Sequence, residues 1–310
     1  MFTAIELQSP DFVAAIAALK TGGTMVSKYF AILAAVAVSV STAFGQVSTG
    51  SEKSSLNPGQ AVQLQADQLP NLQHGPMRRA GVKPNVSNGT DSSYNWAGYA
   101  VTGTDFTSAK GSWTVPTVNC GASPNAVVAI WVGIDGYSST TVEQTGTSTI
   151  CEHATPVYYA WYEFYPNASA TISSIAVAPG DKITAEVSYS SSTKEFTITL
   201  TNVTTGAHYS TSEAVSGAVR SSAEWIVEAP ADSAVGILNL ADFGKAYLGD
   251  VYTDQAGTNE ATDSTVSGVI NKFTTSVQRI TQVDWLDYTQ QQPTALSDGS
   301  SFYTTWIEYN

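Results

Sequence analysis

Ala223-Glu224-Trp225-Ile226-Val227-Glu228-Ala229-Pro230 reads as a β-strand with two unlike faces. Side chains alternate along a strand, so Glu224, Ile226 and Glu228 share one face, with Trp225 and Val227 opposite. The same parity recurs in Trp161-Tyr162-Glu163-Phe164-Tyr165-Pro166, where Trp161, Glu163 and Tyr165 oppose Tyr162 and Phe164. It recurs in Trp131-Val132-Gly133-Ile134-Asp135-Gly136, where Trp131, Gly133 and Asp135 oppose Val132 and Ile134. Several strands can thus offer a polar and aromatic floor backed by an aliphatic core, a surface that suits an extended peptide lying in a groove. Burying a carboxylate or amide costs several kcal/mol unless it is paired. Such positions on a rigid sheet are therefore candidates for function.

From about Asn95 onward, Trp, Tyr, Val, Ile and Thr alternate with small polar residues, punctuated at short intervals by Gly, Pro, Asn and Asp. That texture predicts an all-β sandwich or barrel. Strands are expected at 95–102, 110–115, 126–134, 157–165, 182–189, 195–202, 222–228 and 302–308. Asp232 or Ser233 is a candidate cap for a short helical turn running to about Leu240. No long amphipathic helix and no internal repeat stands out.

The 310 residues hold 13 Lys and Arg against 26 Asp and Glu, for a formal charge of −13. Residues 90–310 carry 7 basic and 22 acidic residues, whereas 46–89 is slightly basic. An acidic body argues against nucleic acid as a partner, because phosphate neutralisation needs Lys and Arg. Few cations and many carboxylates also suit an acid environment, where self-repulsion falls as carboxylates protonate. Residues 25–45 read as a secretory signal, with Lys28 before the apolar run Tyr29 to Val40 and the small residues Ala43 and Gly45 before a cleavage point. The run is too short to span a membrane comfortably. Residues 1–24 then read as an extension upstream of a start at Met25. Residues 46–91, rich in Ser, Gln, Asn, Pro and Gly, read as a flexible propeptide ahead of one folded domain at 92–310. The expected location is secreted, extracellular or periplasmic. In an exported chain the isolated pair Cys120 and Cys151 reads as one disulfide. It would be worth about 3–4 kcal/mol in the chain-entropy model. His74, His153 and His208 are scattered and no metal-ligand spacing is present, so neither metal nor cofactor is expected.

Together with Asn95-Trp96-Ala97-Gly98-Tyr99 and Val142-Glu143-Gln144-Thr145-Gly146-Thr147, the quoted segments resemble, in order, the glutamic peptidases, or eqolisins. The resemblance extends over roughly 95–310, with Ala97 where fungal members often have Gly. It implies two curved antiparallel sheets packed face to face, a concanavalin A-like sandwich, and assigns Gln144 and Glu228 as the catalytic pair. A Gln beside a Glu imitates a half-protonated carboxyl pair, since the amide donates and accepts without titrating. Glu228 is then the general base toward water and the acid toward the leaving amine, while Gln144 orients water and stabilises the oxyanion. Hydrogen bonds to the Glu228 carboxylate are expected to lower its pKa and keep a base available in acid. Groove candidates are Trp96, Trp131, Asp135, Trp161, Glu163 and Tyr165. Trp113, Trp225, Trp285 and Trp306 are assigned to the core. The expected partners are polypeptide substrates and the chain's own propeptide, docked by charge; no nucleic acid or membrane is expected, and the enzyme is expected to be a monomer. The rival reading is a glycoside hydrolase, or a sugar-binding module, on the same sandwich. Glu224 and Glu228 on one strand mimic its paired acids, but about 13 Å of strand separates them where a retaining pair needs about 5–5.5 Å.

Overall fold

In the computed structural model, residues 72–81 and 89–307 are described. The segments read as leader and start-site extension, and most of 46–91, lie outside the described residues. One sheet carries the strands Thr155–Tyr165, Val142–Glu152, Val127–Ile134, Ser222–Glu228, Trp96–Thr102 and Val277–Val283, each antiparallel to the next. A second runs Ala207–Glu213, Glu195–Asn202, Lys182–Ser190 and Ser108–Thr114, with Lys245–Leu248 and Glu260–Thr262 both pairing on the last. Thr289–Pro293 pairs both Val277–Val283 and Phe302–Trp306, so the two sheets are joined at that edge. The fold is nearly all-β, as the alternation and the family resemblance both implied.

All eight expected strands form, with ends shifted by up to two residues. The strand Val142–Glu152 was not among them, although it carries Gln144. Its run Thr145-Gly146-Thr147-Ser148-Thr149 has the small polar residues of a loop, and only flanking strands on both sides make it a sheet member. The helical turn expected after Asp232 is instead a tight hairpin, Ala231–Asp232 against Gly236–Ile237. Asp232 still caps a turn there, accepting from the N–H groups of Ala234 and Val235 at 2.7 and 3.2 Å.

Val128, Ile130, Val132, Trp225 and Val227 of the first sheet pack against Trp113, Ile183, Val187, Ile198 and Leu200 of the second. This is the core on which the sequence parity depended. The opposite face of the first sheet is covered too. Trp96, Trp131, Trp161 and Ile226 form a separate apolar cluster with Leu72 and Met77. Hence all residues of Val127–Ile134 and of Ser222–Glu228 are buried. Trp113 and Trp225 lie in the core and Trp306 packs at its margin, but Trp285 is 80% exposed. Trp285 sits in the link between two paired strands, beyond the reach of either sheet's packing face. Cys120 and Cys151 form a disulfide across 31 residues of chain, and both are buried.

Gly146 is fixed by close approach. It faces Trp131 on one neighbouring strand and Trp161 on the other. A Cβ at this position would stand 2.2 Å from the Ile130 carbonyl oxygen and 2.6 Å from Trp131 Cβ. Both contacts involve groups held by the sheet ladder. Gly146→Ala is therefore expected to destabilise the domain by about 1–3 kcal/mol, the usual cost of overpacking, measurable as a fall in denaturant midpoint. An unchanged midpoint would show that the ladder yields there at no cost.

Candidate active site

Cross-strand register collects the polar groups of the first sheet. Gln144 is directly opposite Glu163 on one side and Gly133 on the other. Glu228 is opposite Trp96 and Ala129. Directly opposed residues point to the same face. Gln144, Glu163, Glu228, Trp96, Trp131 and Trp161 therefore share the face away from the sandwich core, and all are buried.

Glu228 is held by neutral donors. Its Oε2 accepts from Trp131 Nε1 at 2.9 Å, and its Oε1 from Trp96 Nε1 at 3.2 Å and Asn95 Nδ2 at 3.5 Å. The two indoles meet edge to face, 4.9 Å between ring centroids, which directs one N–H to each carboxyl oxygen. Gln144 Nε2 donates to Glu163 Oε2 at 2.9 Å, which fixes the orientation of the amide.

Residues 72–81 lie over this face, although composition grouped them with the segment read as flexible. His74 is fully buried and touches Glu163, Gln144 and Glu228. Its backbone N–H donates to Glu163 Oε2 at 3.1 Å, its carbonyl oxygen accepts from Gln144 Nε2, and its Nδ1 is 2.9 Å from Glu228 Oε2. Its ring stacks on Trp161 at 3.6 Å and 5°. Gly75 follows against the Tyr165 ring.

Burial dominates the electrostatics. It pushes the Glu228 carboxyl up to about 8, against the hydrogen bonds from Trp131, Trp96 and Asn95 and the charge of Arg78, which all act to lower it. The expected lowering by hydrogen bonds is thus outweighed while the face is covered, because desolvation disfavours the ionised form more than neutral donors restore it. Burial also raises Glu163 well above the carboxylate range, with the Glu228 charge adding to it. His74 is pushed down to about 3 by burial alone. The His74–Glu228 contact is therefore a neutral imidazole accepting from a protonated carboxyl.

Asp135 lies apart from this cluster. Its Oδ2 accepts from the backbone N–H groups of Val219 and Arg220 at 2.9 and 2.6 Å, and its Oδ1 from the Ser221 N–H at 2.8 Å. Its carboxylate is engaged in holding that loop, apart from Gln144 and Glu228. The structure adds His74 and Asn95. Asn95 was legible as the first residue of its motif; His74, in a composition-poor stretch, carried no signal.

Two further carboxyls, Glu143 and Glu224, are fully buried, and the Thr141 hydroxyl beside the first and the Ser222 hydroxyl beside the second only partly offset that burial. Burial first, and the Asp135 charge after it, raises Glu143 to about 9. Burial likewise raises Glu224 well above its ordinary value. Glu143 is thus a neutral acid in the folded state at neutral pH. Unfolding returns both carboxyls to about 4.5, so below that pH they are protonated in both states and their contribution to stability is full. Between about 4.5 and 9 the unfolded chain loses the Glu143 proton and the folded one keeps it, so stability falls as pH rises. The melting temperature is expected to be highest in acid and to drop toward alkaline pH, with a shallower drop in Glu143→Gln. Equal slopes for variant and wild type in thermal scans would contradict this.

The sequence matches the Peptidase A4 family over residues 94–291. It is 31% identical to aspergillopepsin-2 of Aspergillus niger over 215 residues, 61% of this chain and 74% of that one. It is 37% identical to scytalidopepsin B of Scytalidium lignicola over 138 residues, 43% of this chain and 51% of the other. The fold aligns with scytalido-glutamic peptidase solved with a transition-state-analogue inhibitor, at TM-score 0.57 and 25% identity, covering 69% of this chain and 98% of that one. It also aligns with an eqolisin solved in complex with the tripeptide Ala-Ile-His, at TM-score 0.54 and 26% identity, with the same coverage. The strands that carry Gln144 and Glu228 fall inside the matched region, and the chain belongs to the Peptidase A4 family, the glutamic peptidases.

Proposed function

We propose that this chain is a secreted acid endopeptidase in which Glu228 and Gln144 activate water on a peptide bond without a covalent intermediate. The observation that carries the reading is the convergence of both side chains on a single peptide-bearing residue. Gln144 reaches the His74 carbonyl oxygen, and Glu228 reaches the side chain of the same residue. A donor on the carbonyl oxygen and a carboxyl within reach of the same residue are the two groups that hydrolysis needs.

In an open groove, water reaches Glu228 and the desolvation cost falls. The Trp96, Trp131 and Asn95 donors remain and favour the carboxylate. Glu228 then takes a proton from water as the water oxygen adds to the carbonyl carbon. Gln144 Nε2 stabilises the oxyanion that forms, its orientation set by Glu163. Glu228 returns the proton to the leaving nitrogen as the C–N bond breaks. A histidine base would be protonated in the acid range where this pair works. The inhibitor complex of scytalido-glutamic peptidase supports reading the groove as a peptide site. Trp96, Trp131, Trp161, Glu163 and Tyr165 form its walls.

The leader at 25–45 and the disulfide, which persists in oxidising compartments, support export. The sugar-cleaving alternative is not favoured: Glu224 stands four residues from Glu228 with Ile226 between, and the similar proteins are peptidases.

Glu228→Gln keeps one indole contact, at its single carbonyl oxygen, and removes the proton acceptor. Hydrolysis of a denatured protein in acid is expected to fall at least about 10²–10⁴-fold, with an unchanged circular dichroism spectrum. Substantial activity in that folded variant would end the assignment.

A further inference from the structure

The segment over the site is anchored on both sides of its centre. Upstream, Leu72 and Gln73 pair antiparallel with Asp232 and Ala231, and the Leu72 carbonyl accepts from Ser169 Oγ at 2.6 Å. Leu72 is buried in the apolar cluster of the groove. Downstream, the Met77 N–H donates to the Gly136 carbonyl at 3.0 Å, Arg78 N–H to Asn95 Oδ1 at 2.8 Å, and Ala80 N–H to the Ser92 carbonyl at 3.0 Å. Arg79 adds an ion pair with Asp91. Between the anchors, His74 presents its carbonyl to Gln144 and its N–H to Glu163, and its imidazole occupies Glu228 Oε2. That oxygen is where an attacking water would have to bind.

We propose that residues 72–81 are a built-in substrate whose own His74 imidazole blocks Glu228, and that His74–Gly75 is the peptide bond this enzyme cuts in itself once the imidazole leaves. The inference rests on the Gln144–Glu228 reading. The step is hydrolysis by one water. The water oxygen bonds to the His74 carbonyl carbon, its proton passes through Glu228 to the Gly75 nitrogen, and the His74–Gly75 C–N bond breaks. The products are a carboxyl terminus at His74 and an amino terminus at Gly75. Gly75 suits the role, since it adds no side chain between the scissile bond and the Tyr165 ring. After the cut, the 77–80 anchors stay with the domain, and the upstream product is held by the 72–73 pairing, by Ser169, by the buried Leu72 and by the His74 contacts.

The groups facing His74 set the sign of its pH response. These are Glu163, Glu228 and, on the segment itself, Arg78; Gln144 does not titrate. Release exposes all of them to water. Above about pH 4.5 the docked carboxyls hold protons that the released ones lose, so falling pH first tightens docking. Below that value both carboxyls are protonated in either state and only His74 differs. Free imidazole binds a proton near pH 6.5, but docked His74 binds one only near 3. From about pH 4.5 downward, docking therefore weakens by about tenfold per unit until His74 protonates in place.

The test uses the full chain purified at neutral pH, with Glu228→Gln and His74→Phe beside the wild type. Phenylalanine keeps a flat ring for Trp161 and lacks Nδ1. After incubation across about pH 3–7, which spans both the tightening and the weakening arms, intact mass and N-terminal sequencing of the wild type should show a new terminus at Gly75. Glu228→Gln should show none. His74→Phe should hydrolyse an added peptide at about pH 6 roughly tenfold faster than the wild type, because a buried hydrogen bond to the base has been removed. A synthetic peptide of residues 72–81, given to the processed enzyme, should be cut at the same bond; this arm stands even if His74→Phe does not fold. Self-cleavage at another bond, or a 72–81 peptide that is neither cut nor inhibitory, overturns the proposal. So does a folded His74→Phe that matches the wild type at every pH. If Glu228→Gln still hydrolyses the added peptide, the catalytic pair itself is misassigned; a dead Glu228→Gln with an intact His74–Gly75 bond in the wild type refutes only the self-cleavage.

Discussion

The carboxyl of Glu228 is buried without a hydrogen-bonded cation, and the rest of the site follows from that constraint. An ionised carboxylate in such a place needs donors, and here they are two indole N–H groups and one amide. Indoles are large, so the strand beside Trp131 must give way, and it does so at Gly146. The same bulk makes the face apolar around a polar centre, which favours a peptide backbone with side chains over a free water layer. Gln144 is the non-titrating complement. It offers a donor to a carbonyl at any pH, while its neighbour Glu163 holds it in place.

Covering that face changes its chemistry. With residues 72–81 in place, Glu163 and Glu228 are desolvated, burial raises both carboxyls, and Glu228 bonds an imidazole. Opening the face reverses both effects at once, because solvation and access come from the same event. Glu143 and Glu224 act differently: buried in the sheet with few donors, they tie the stability of the domain to acid conditions.

Much of this was legible before the fold was known. Strand parity in 161–165 and 222–228 put Trp161, Glu163 and Glu228 on faces that could meet, and family-like segments singled out Gln144 and Glu228. What parity could not do was choose among acids on one face. Glu224 and Glu228 have the same parity, yet Glu228 meets two indole N–H groups and Glu224 only the Ser222 hydroxyl and the Tyr137 backbone. Asp135 read as a floor residue because it continued the alternation of Trp131 and Gly133. The chain turns there, with φ of 70°, and its carboxylate goes to the 219–221 amides. Trp285 read as core because indoles usually are, but it falls in a link between strands.

The amino-acid sequence by itself determined the alternation, and alternation is a local property of extended backbone. It therefore fixed an all-β chain, two-faced strands, the disulfide partners and the residue types of the site. Tertiary structure decided what those faces met. The strand 142–152 exists because its neighbours supply both ladders, and Glu228 is a buried acid because two indoles from other strands converge on it. His74 reaches the site from 70 residues before Gln144 and 154 before Glu228. No local pattern encodes a contact across such a distance, because it depends on how the sheet's outer face is closed.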